Sequence, residues 1–393
     1  MQLTSLLGHS AELVRIIRKS SQPGDTLASE YFRSKKYIGA TDRRFISGLV
    51  FHTLRTLVLS ERVTERLQLP DIAHGAYVLR DNPDSVDLSW ISDLPLHEQV
   101  CTQEWLLDAT RERWTDDAAD VWRSMMQSAP MVLRVNLRRA SRERVLQQLQ
   151  SEDIECTLGA ISPAAIVVHQ RVNLMQHPLY LNGIVEVQDE GSQLIGYACA
   201  PQEGDSILDA CAGAGGKTLH LADLQNDHGN LVAHDVAWPR LKEVSKRAAR
   251  AGVRSIHVEH NATFNRPQFD IVVVDAPCSG MGTVRRLPMV KWRLQPDVAT
   301  RHGAKQLGIL SSYSNAVRPG GVLVYATCSI LPVENEHVVA AFLAKHPEFA
   351  ADDLTPIMQR MDVQIQPTGH TLQCDPLHHS TDGLFVARMR RSV

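Results

Sequence analysis

The chain has 393 residues, more than one hydrophobic core ordinarily organises, so two or three domains are expected. With 44% apolar and 22% charged residues it reads as globular rather than disordered or fibrous. Its formal net charge of -3 excludes nucleic-acid binding through a global positive field and leaves only local patches for RNA.

The first element, Leu3 to Arg18, carries arginines and apolar residues at helical spacing. It runs straight into more helical pattern rather than ending at a cleavage site. No run in the chain reaches the roughly 18 apolar residues that cross a bilayer. A cytoplasmic, monomeric protein without a membrane partner is expected. Helical periodicity continues through Leu13, Ile16 and Ile17, then Phe45, Ile46, Leu49, Val50 and Leu54, and predicts an all-α domain over residues 1–125. Trp105 and Trp122 fit this pattern as core anchors.

From Pro130 the texture changes. Short β-rich runs, Met131 to Val135 and Ala165 to Val168, flank a helix-like stretch around Arg142 to Gln150, which predicts a small α+β module over residues 126–180. Arg134, Arg138, Arg139, Arg142 and Arg144 lie close together there. Such a run reads equally as a solvated face or as a phosphate contact.

Residues 181–393 repeat strand, glycine-rich turn and helix, which predicts a doubly wound, Rossmann-like α/β sheet. Ser206 to Asp209, Asn230 to His234, Ser255 to Glu259, Asp270 to Val274 and Gly321 to Tyr325 are the expected strands. Ligands bind such sheets beyond the carboxyl ends of the strands.

The first of these strands ends in Asp209-Ala210-Cys211-Ala212-Gly213-Ala214-Gly215-Gly216-Lys217-Thr218. A P-loop would need glycine where Cys211 stands, and a dinucleotide G-x-G-x-x-G pattern fails after Gly215. The small-residue turn instead suits the amino-acid end and sulfur of S-adenosylmethionine. Asp235, roughly 20 residues on, can accept from ribose hydroxyls. Arg240 lies one helical turn beyond, and Asn261 follows the third strand, where it can meet an adenine edge.

The seven cysteines form no C-x-x-C pair, so neither a disulfide framework nor a metal site is expected. Two of them stand apart. Asp275-Ala276-Pro277-Cys278-Ser279-Gly280 ends the fourth strand and Thr327-Cys328-Ser329 ends the fifth, with Glu334-Asn335-Glu336 opening the next helix. Two cysteines at the mouths of two strands are poorly explained as core filler.

These segments, in this order, with Arg285-Arg286 and Lys291-Trp292-Arg293 between them, resemble the Sun-type (RsmB-like) RNA (cytosine-5) methyltransferases. Val187 to Ser192 and Thr381 to Phe385 resemble the flanking motifs of that family, and the likeness covers residues 181–390. The helical segment with Gly24-Asp25-Thr26-Leu27 and Thr41-Asp42-Arg43-Arg44-Phe45 is similar to the NusB-like RNA-binding domain of the bacterial rRNA enzymes. Leu133 to Asn136 resembles their small domain.

The resemblance implies S-adenosylmethionine as cofactor, held by Cys211, Ala212, Gly213, Ala214, Gly215, Gly216, Lys217, Asp235, Arg240, Asn261 and Asp275. It implies Cys328 as the nucleophile at carbon-6 of cytosine, Cys278 as the group that releases the product, and Asp275 and Lys217 in the base pocket. The substrate implied is RNA, rRNA ahead of tRNA. In three places the chain departs from the family pattern. Gly213-Ala214 replaces Ala-Pro, which should loosen the turn; Asn261 replaces an aspartate; Leu287-Pro288-Met289 replaces a more polar stretch. A noncatalytic RNA-binding or ribosome-assembly factor is the alternative, and it would be expected to have lost Cys328, Cys278 or Asp275. A DNA cytosine methyltransferase would have no use for Cys328.

Overall fold

The computed structural model describes residues 1–170 and 172–393. The chain forms two compact units, one of Met1–Ala129 with Thr283–Pro296 and the other of Pro130–Gly282 with Asp297–Val393. Among the described residues, no helix is long and apolar enough to cross a membrane.

The first unit is helical. Its longer helices are Leu3–Lys19, Gly24–Ser34, Ala40–Arg55, Leu57–Arg66, Ile72–Asp81 and Glu104–Trp114. Leu13, Ile17, Ile46, Val50 and Leu54, spaced by threes and fours along two of these helices, meet in one buried cluster. Trp122 is fully buried and its indole N–H donates to Thr110 Oγ1 at 3.0 Å, the polar partner a buried indole needs.

The segment Thr283–Pro296 belongs to this unit through specific bonds. Met289 packs against the Leu13–Ile46 cluster. Lys291 Nζ donates to the Arg55 carbonyl at 2.8 Å and the Trp292 indole to the Leu54 carbonyl at 2.9 Å. Arg293 donates to the Ile17 carbonyl at 2.8 Å. All three acceptors lie in the last turns of helices, where carbonyls have no partner within the helix and attract cations. Burial pushes the Lys291 ammonium down to about 8. The departure Leu287-Pro288-Met289 thus supplies an apolar contact at Met289.

The second unit holds two sheets. The smaller contains β1 (Met131–Val135), β2 (Cys156–Leu158), β3 (Ala165–Val168) and β4 (Val185–Val187), all antiparallel in the order β2-β3-β1-β4. The larger contains β5 (Ser206–Asp209), β6 (Asn230–His234), β7 (Ile256–Glu259), β8 (Phe269–Asp275), β9 (Val317–Thr327), β10 (Phe349–Ala351), β11 (Thr371–Cys374) and β12 (Leu384–Arg391). Its order is β10-β12-β9-β8-β5-β6-β7, with β11 against β12. The strands from β5 to β9 pair in parallel, and β12 runs antiparallel to β9. Ile271 to Val274 are buried in an unbroken run, as befits a strand covered on both faces. The winding reverses between β5 and β8, so the crevice at their carboxyl ends is the topological switch point.

Four of the five arginines in the run make internal bonds, while Arg144 is exposed. Arg134 is buried and donates to the Gly216 carbonyl at 2.8 Å. Arg138 pairs with Asp227 at 3.7 Å, Arg142 donates to the Ser162 carbonyl at 3.0 Å, and Arg139 donates to the Asn182 carbonyl. The bonds of Arg134 and Arg138 tie the small sheet to the segment of the large one, while that of Arg142 supplies a donor to a carbonyl within the small module. The motif at Glu190 serves the same joint, since the buried Glu190 carboxylate accepts from Ile161 N and Ser162 N, each at 2.7 Å.

Candidate active site

At the switch point the turn after β5 bends through Gly213 at φ +54° and Gly215 at φ +86° before the helix Gly216–Leu224 begins. Only glycine adopts these angles without strain. A Cβ on Gly213 would also lie 2.5 Å from the Arg240 guanidinium, which places Arg240 over the turn. Asp235 follows β6 and is buried; its Oδ2 accepts from Gly213 N at 2.8 Å and its Oδ1 from Ala237 N at 2.7 Å. His260 Nδ1 lies 3.0 Å from the Asp235 carbonyl, which brings the exposed turn carrying Asn261 to the same rim.

The looseness expected from Gly213-Ala214 is offset by side chains that sequence reasoning did not single out for this task. Arg247 donates to the Ala214 carbonyl at 2.8 Å and to Glu186 Oε2 at 2.9 Å, while Arg134 holds the Gly216 carbonyl. Nothing in local pattern signals this, because each bond joins residues far apart in the chain. Cys211 and Ala212 lie in the wall of the turn. Burial raises the Cys211 thiol, which disfavours a thiolate there. Asp209, fully buried beneath the turn, is raised by burial to about 6, although Thr218 Oγ1 donates to its Oδ2 at 2.7 Å.

Lys217 leaves the start of that helix and meets Asp275 at the end of β8, with Nζ to Oδ2 at 2.6 Å. Burial works against the Lys217 charge, but Asp275 outweighs it and holds the ammonium above its ordinary value. Both side chains keep about a fifth of their surface open, 21% and 24%. The site therefore offers a fixed cation and a fixed carboxylate side by side.

Cys278 and Cys328 come together beside that pair. They follow the neighbouring parallel strands β8 and β9, and their sulfur atoms are 3.3 Å apart. The hydrogen bond from Cys278 draws the Cys328 thiol below its ordinary value; burial and Asp275 oppose this and Lys217 assists it. The same bond, followed by burial, raises Cys278 well above its ordinary value. The two sulfurs are thus unequal, with the thiolate form favoured at Cys328 over Cys278.

Buried groups hold the two cysteine loops. Gly282 N donates to the Cys328 carbonyl at 2.9 Å, and Gly383 N donates to the Gly282 carbonyl at 2.9 Å. A Cβ on Gly282 would lie 2.0 Å from the Gly383 oxygen, so the Gly383 motif supports the Cys278 loop by close backbone approach. Glu334 sits in a short 3-10 turn, Pro332–Glu334, ahead of the helix Glu336–Lys345. It accepts from Ser279 N at 2.8 Å, from the Ser279 and Ser329 hydroxyls at 2.5 Å each, and from Gln306 Nε2 at 3.0 Å. Tyr325 is a core residue of β9 whose hydroxyl donates to the Glu334 carbonyl at 2.5 Å. Among the described residues, no cluster of three His, Cys, Asp or Glu side chains suits a metal ion.

Residues 196–390 match the family model described as 16S rRNA methyltransferase RsmB/F, and residues 103–175 match the RsmF/B-like methyltransferase ferredoxin-like domain. The chain is 34% identical over 297 residues to the probable ribosomal RNA small subunit methyltransferase B of Bacillus subtilis, covering 73% of this chain and 66% of that protein. It is 33% identical over 302 residues to ribosomal RNA small subunit methyltransferase B of Xylella fastidiosa, covering 74% and 68%. The chain thus spans about two thirds of the length of these curated relatives, 66% and 68%. Among solved structures, the fold is similar to that of PH0851, with a TM-score of 0.79 at 23% identity over 98% of this chain and 99% of that one. It is also similar to NSun6 from Pyrococcus horikoshii with SFG, with a TM-score of 0.64 at 18% identity over 74% and 98%.

Proposed function

Because the chain belongs to the RsmB/F family of 16S rRNA methyltransferases, we propose that it transfers a methyl group from S-adenosylmethionine to carbon-5 of a cytosine in RNA, small-subunit rRNA in particular. The observation that carries this reading is the 3.3 Å approach of Cys278 and Cys328 beside the Lys217–Asp275 pair.

The residues present fit the cofactor. The glycine turn leaves a cradle that side chains would fill, and Asp235 uses one bond at each oxygen, so each retains acceptor capacity for a ribose hydroxyl. Cys211 to Lys217, Asp235, Arg240 and Asn261 would hold it, and when bound it supplies an electrophilic methyl group.

Carbon-5 of cytosine is a weak nucleophile until carbon-6 is saturated. The Cys328 thiolate adds to carbon-6, and the displaced electron pair makes carbon-5 enamine-like while Asp275, fixed by Lys217, stabilises a proton at N3. Carbon-5 then takes the methyl group. Once the Cys328 sulfur is bound to carbon, Cys278 loses the acceptor that chiefly raised its pKa. Its thiol gives its proton to solvent, and the resulting thiolate takes the carbon-5 proton, directly or through water. Carbon-5 and carbon-6 regain their double bond, and the Cys328 thiolate leaves. The target base must be single-stranded or flipped out of its stack to reach these atoms. In this reading the N-terminal helical region, residues 1–125, engages the RNA.

Cys328→Ala is expected to abolish methylation, whereas Cys278→Ala should accumulate a covalent protein–RNA adduct, because addition survives and release fails. Bisulfite sequencing of RNA from cells with and without the gene identifies the nucleotide. Normal turnover by Cys278→Ala without adduct would overturn the assignment of roles, and an unchanged 5-methylcytosine map would overturn the enzyme reading.

A further inference from the structure

We infer that Glu334 is the positioning residue of the cysteine pair: one carboxylate fastens the loop after β8 to the loop after β9 and so sets the separation of Cys278 and Cys328. Glu334 is fully buried. Its Oε1 accepts from Ser279 N and Gln306 Nε2, and its Oε2 accepts from the Ser279 and Ser329 hydroxyls. Ser279 is the residue after Cys278 and Ser329 the residue after Cys328. The bond to Ser329 closes the loop that carries Cys328, and the two bonds to Ser279 cross to the other loop.

A carboxylate has about four lone-pair positions, and here all are used. None is left for a substrate, so the group acts through its neighbours. A buried carboxylate is tolerated only while its bonds are made, so drawing the loops apart exposes the full cost of an unpaired charge. The anchor itself is fixed. Tyr325 bonds the Glu334 carbonyl, Gln306 also donates to the Pro277 carbonyl at 3.1 Å, and Asn335 Nδ2 donates to the Ser329 carbonyl at 3.0 Å. The charge on Glu334 opposes thiolate formation at both cysteines, which argues that geometry rather than electrostatics keeps it there.

The inference rests on the paired-thiol reading above, but its test uses the protein alone. Phenylarsine oxide bridges two thiols held at close range. The wild-type chain should bind it across Cys278 and Cys328, and Glu334→Ala should lower that affinity about tenfold or more. Each thiol should still react singly with iodoacetamide. Glu334→Gln keeps an acceptor for Ser279 N and Gln306 and should recover most of the affinity. In methylation assays Glu334→Ala should lower kcat and leave KM for RNA unchanged. Wild-type arsenical affinity in folded Glu334→Ala would overturn the inference. Should that variant not fold, Ser279→Ala, which removes one of the two bonds Glu334 makes to the Cys278 loop, decides by the same measure, and unchanged affinity there overturns it too. Weakened bridging in a protein that methylates nothing would refute the proposed function and leave the positioning role standing.

Discussion

Replacing Cys278 with alanine tests the charge distribution within the sulfur pair before any RNA is added. In the wild type the bond from Cys278, spanning 3.3 Å, draws the Cys328 thiol below its ordinary value. A hydrogen bond to a charged group contributes about 1.5–3 kcal/mol. Its loss should cut the Cys328 thiolate fraction at neutral pH by roughly ten- to a hundredfold, at about 1.4 kcal/mol per factor of ten. A more basic thiolate is intrinsically more nucleophilic, with a Brønsted slope of about 0.4–0.5, so the alkylation rate at pH 7 should fall by only about 3- to 16-fold. Above the titration the order should reverse and the variant should react faster than wild type. The assay is the pH profile of iodoacetamide alkylation at Cys328, followed by peptide mass spectrometry in a Cys211→Ala background, because Cys211 and, in the wild type, Cys278 are also partly exposed while Cys101, Cys156, Cys199 and Cys374 are buried. A variant that alkylates as fast as wild type at pH 7, with no crossing at high pH, would refute the role given to the bond from Cys278.

Two further substitutions probe the frame of the site. Glu186 is 4% exposed and pairs with Arg247 and Arg250, which are 20% and 19% exposed. Breaking a fully buried pair costs about 3–5 kcal/mol, and the partial exposure of the guanidiniums reduces this to about 2, so Glu186→Ala should lower denaturant stability by that amount; a loss below the error of the melt would refute it. Asp209 has a folded pKa raised by burial to about 6, so the protonated form stabilises the fold. That contribution is present below the ordinary carboxylate range and is lost as pH rises from there through about 6, a span worth roughly 3 kcal/mol. Asp209→Asn should therefore flatten the stability profile between pH 4 and pH 7 and be the more stable protein at pH 8 in thermal melts without ligand; a profile parallel to wild type would refute the cause given.

Much of the larger sheet was legible because its strands are buried on both faces. Ser206 to Asp209 and Asn230 to His234 are apolar runs cut off by turn residues, and the observed β5 and β6 have the same limits. β9 begins earlier than expected, at Val317, because Val317 already pairs with Phe269; a register shift carries the strand past Arg318 to Gly321, which read locally as a turn, before pairing resumes at Val322. β12 escaped notice as a strand since Arg388 and Arg390 interrupt its apolar pattern. Arg388 is nonetheless buried, donating to Ala198 and Asp352. The cysteines were legible as a pair at strand ends, but the hydrogen bond between them depends on the loops. Glu334 was visible only as the start of a helix, because its partners at Ser279 and Gln306 are far away in sequence. The internal bonds of Arg134, Arg138 and Arg142 were not legible for a related reason: charge density in one segment says nothing about which partners lie opposite it.

Thr283–Pro296 has a consequence for exchanging parts between relatives. The helical unit is assembled from two separated stretches of chain, so a cut after Ala129 removes most of the unit and leaves its last piece behind. That remnant would keep Lys291, Trp292 and Arg293 but lose the helix ends they cap. A chimaera that takes its helices from another family member must therefore import the remnant's counterpart as well, and the helical unit is inherited as a matched set of two grafts rather than as a detachable module.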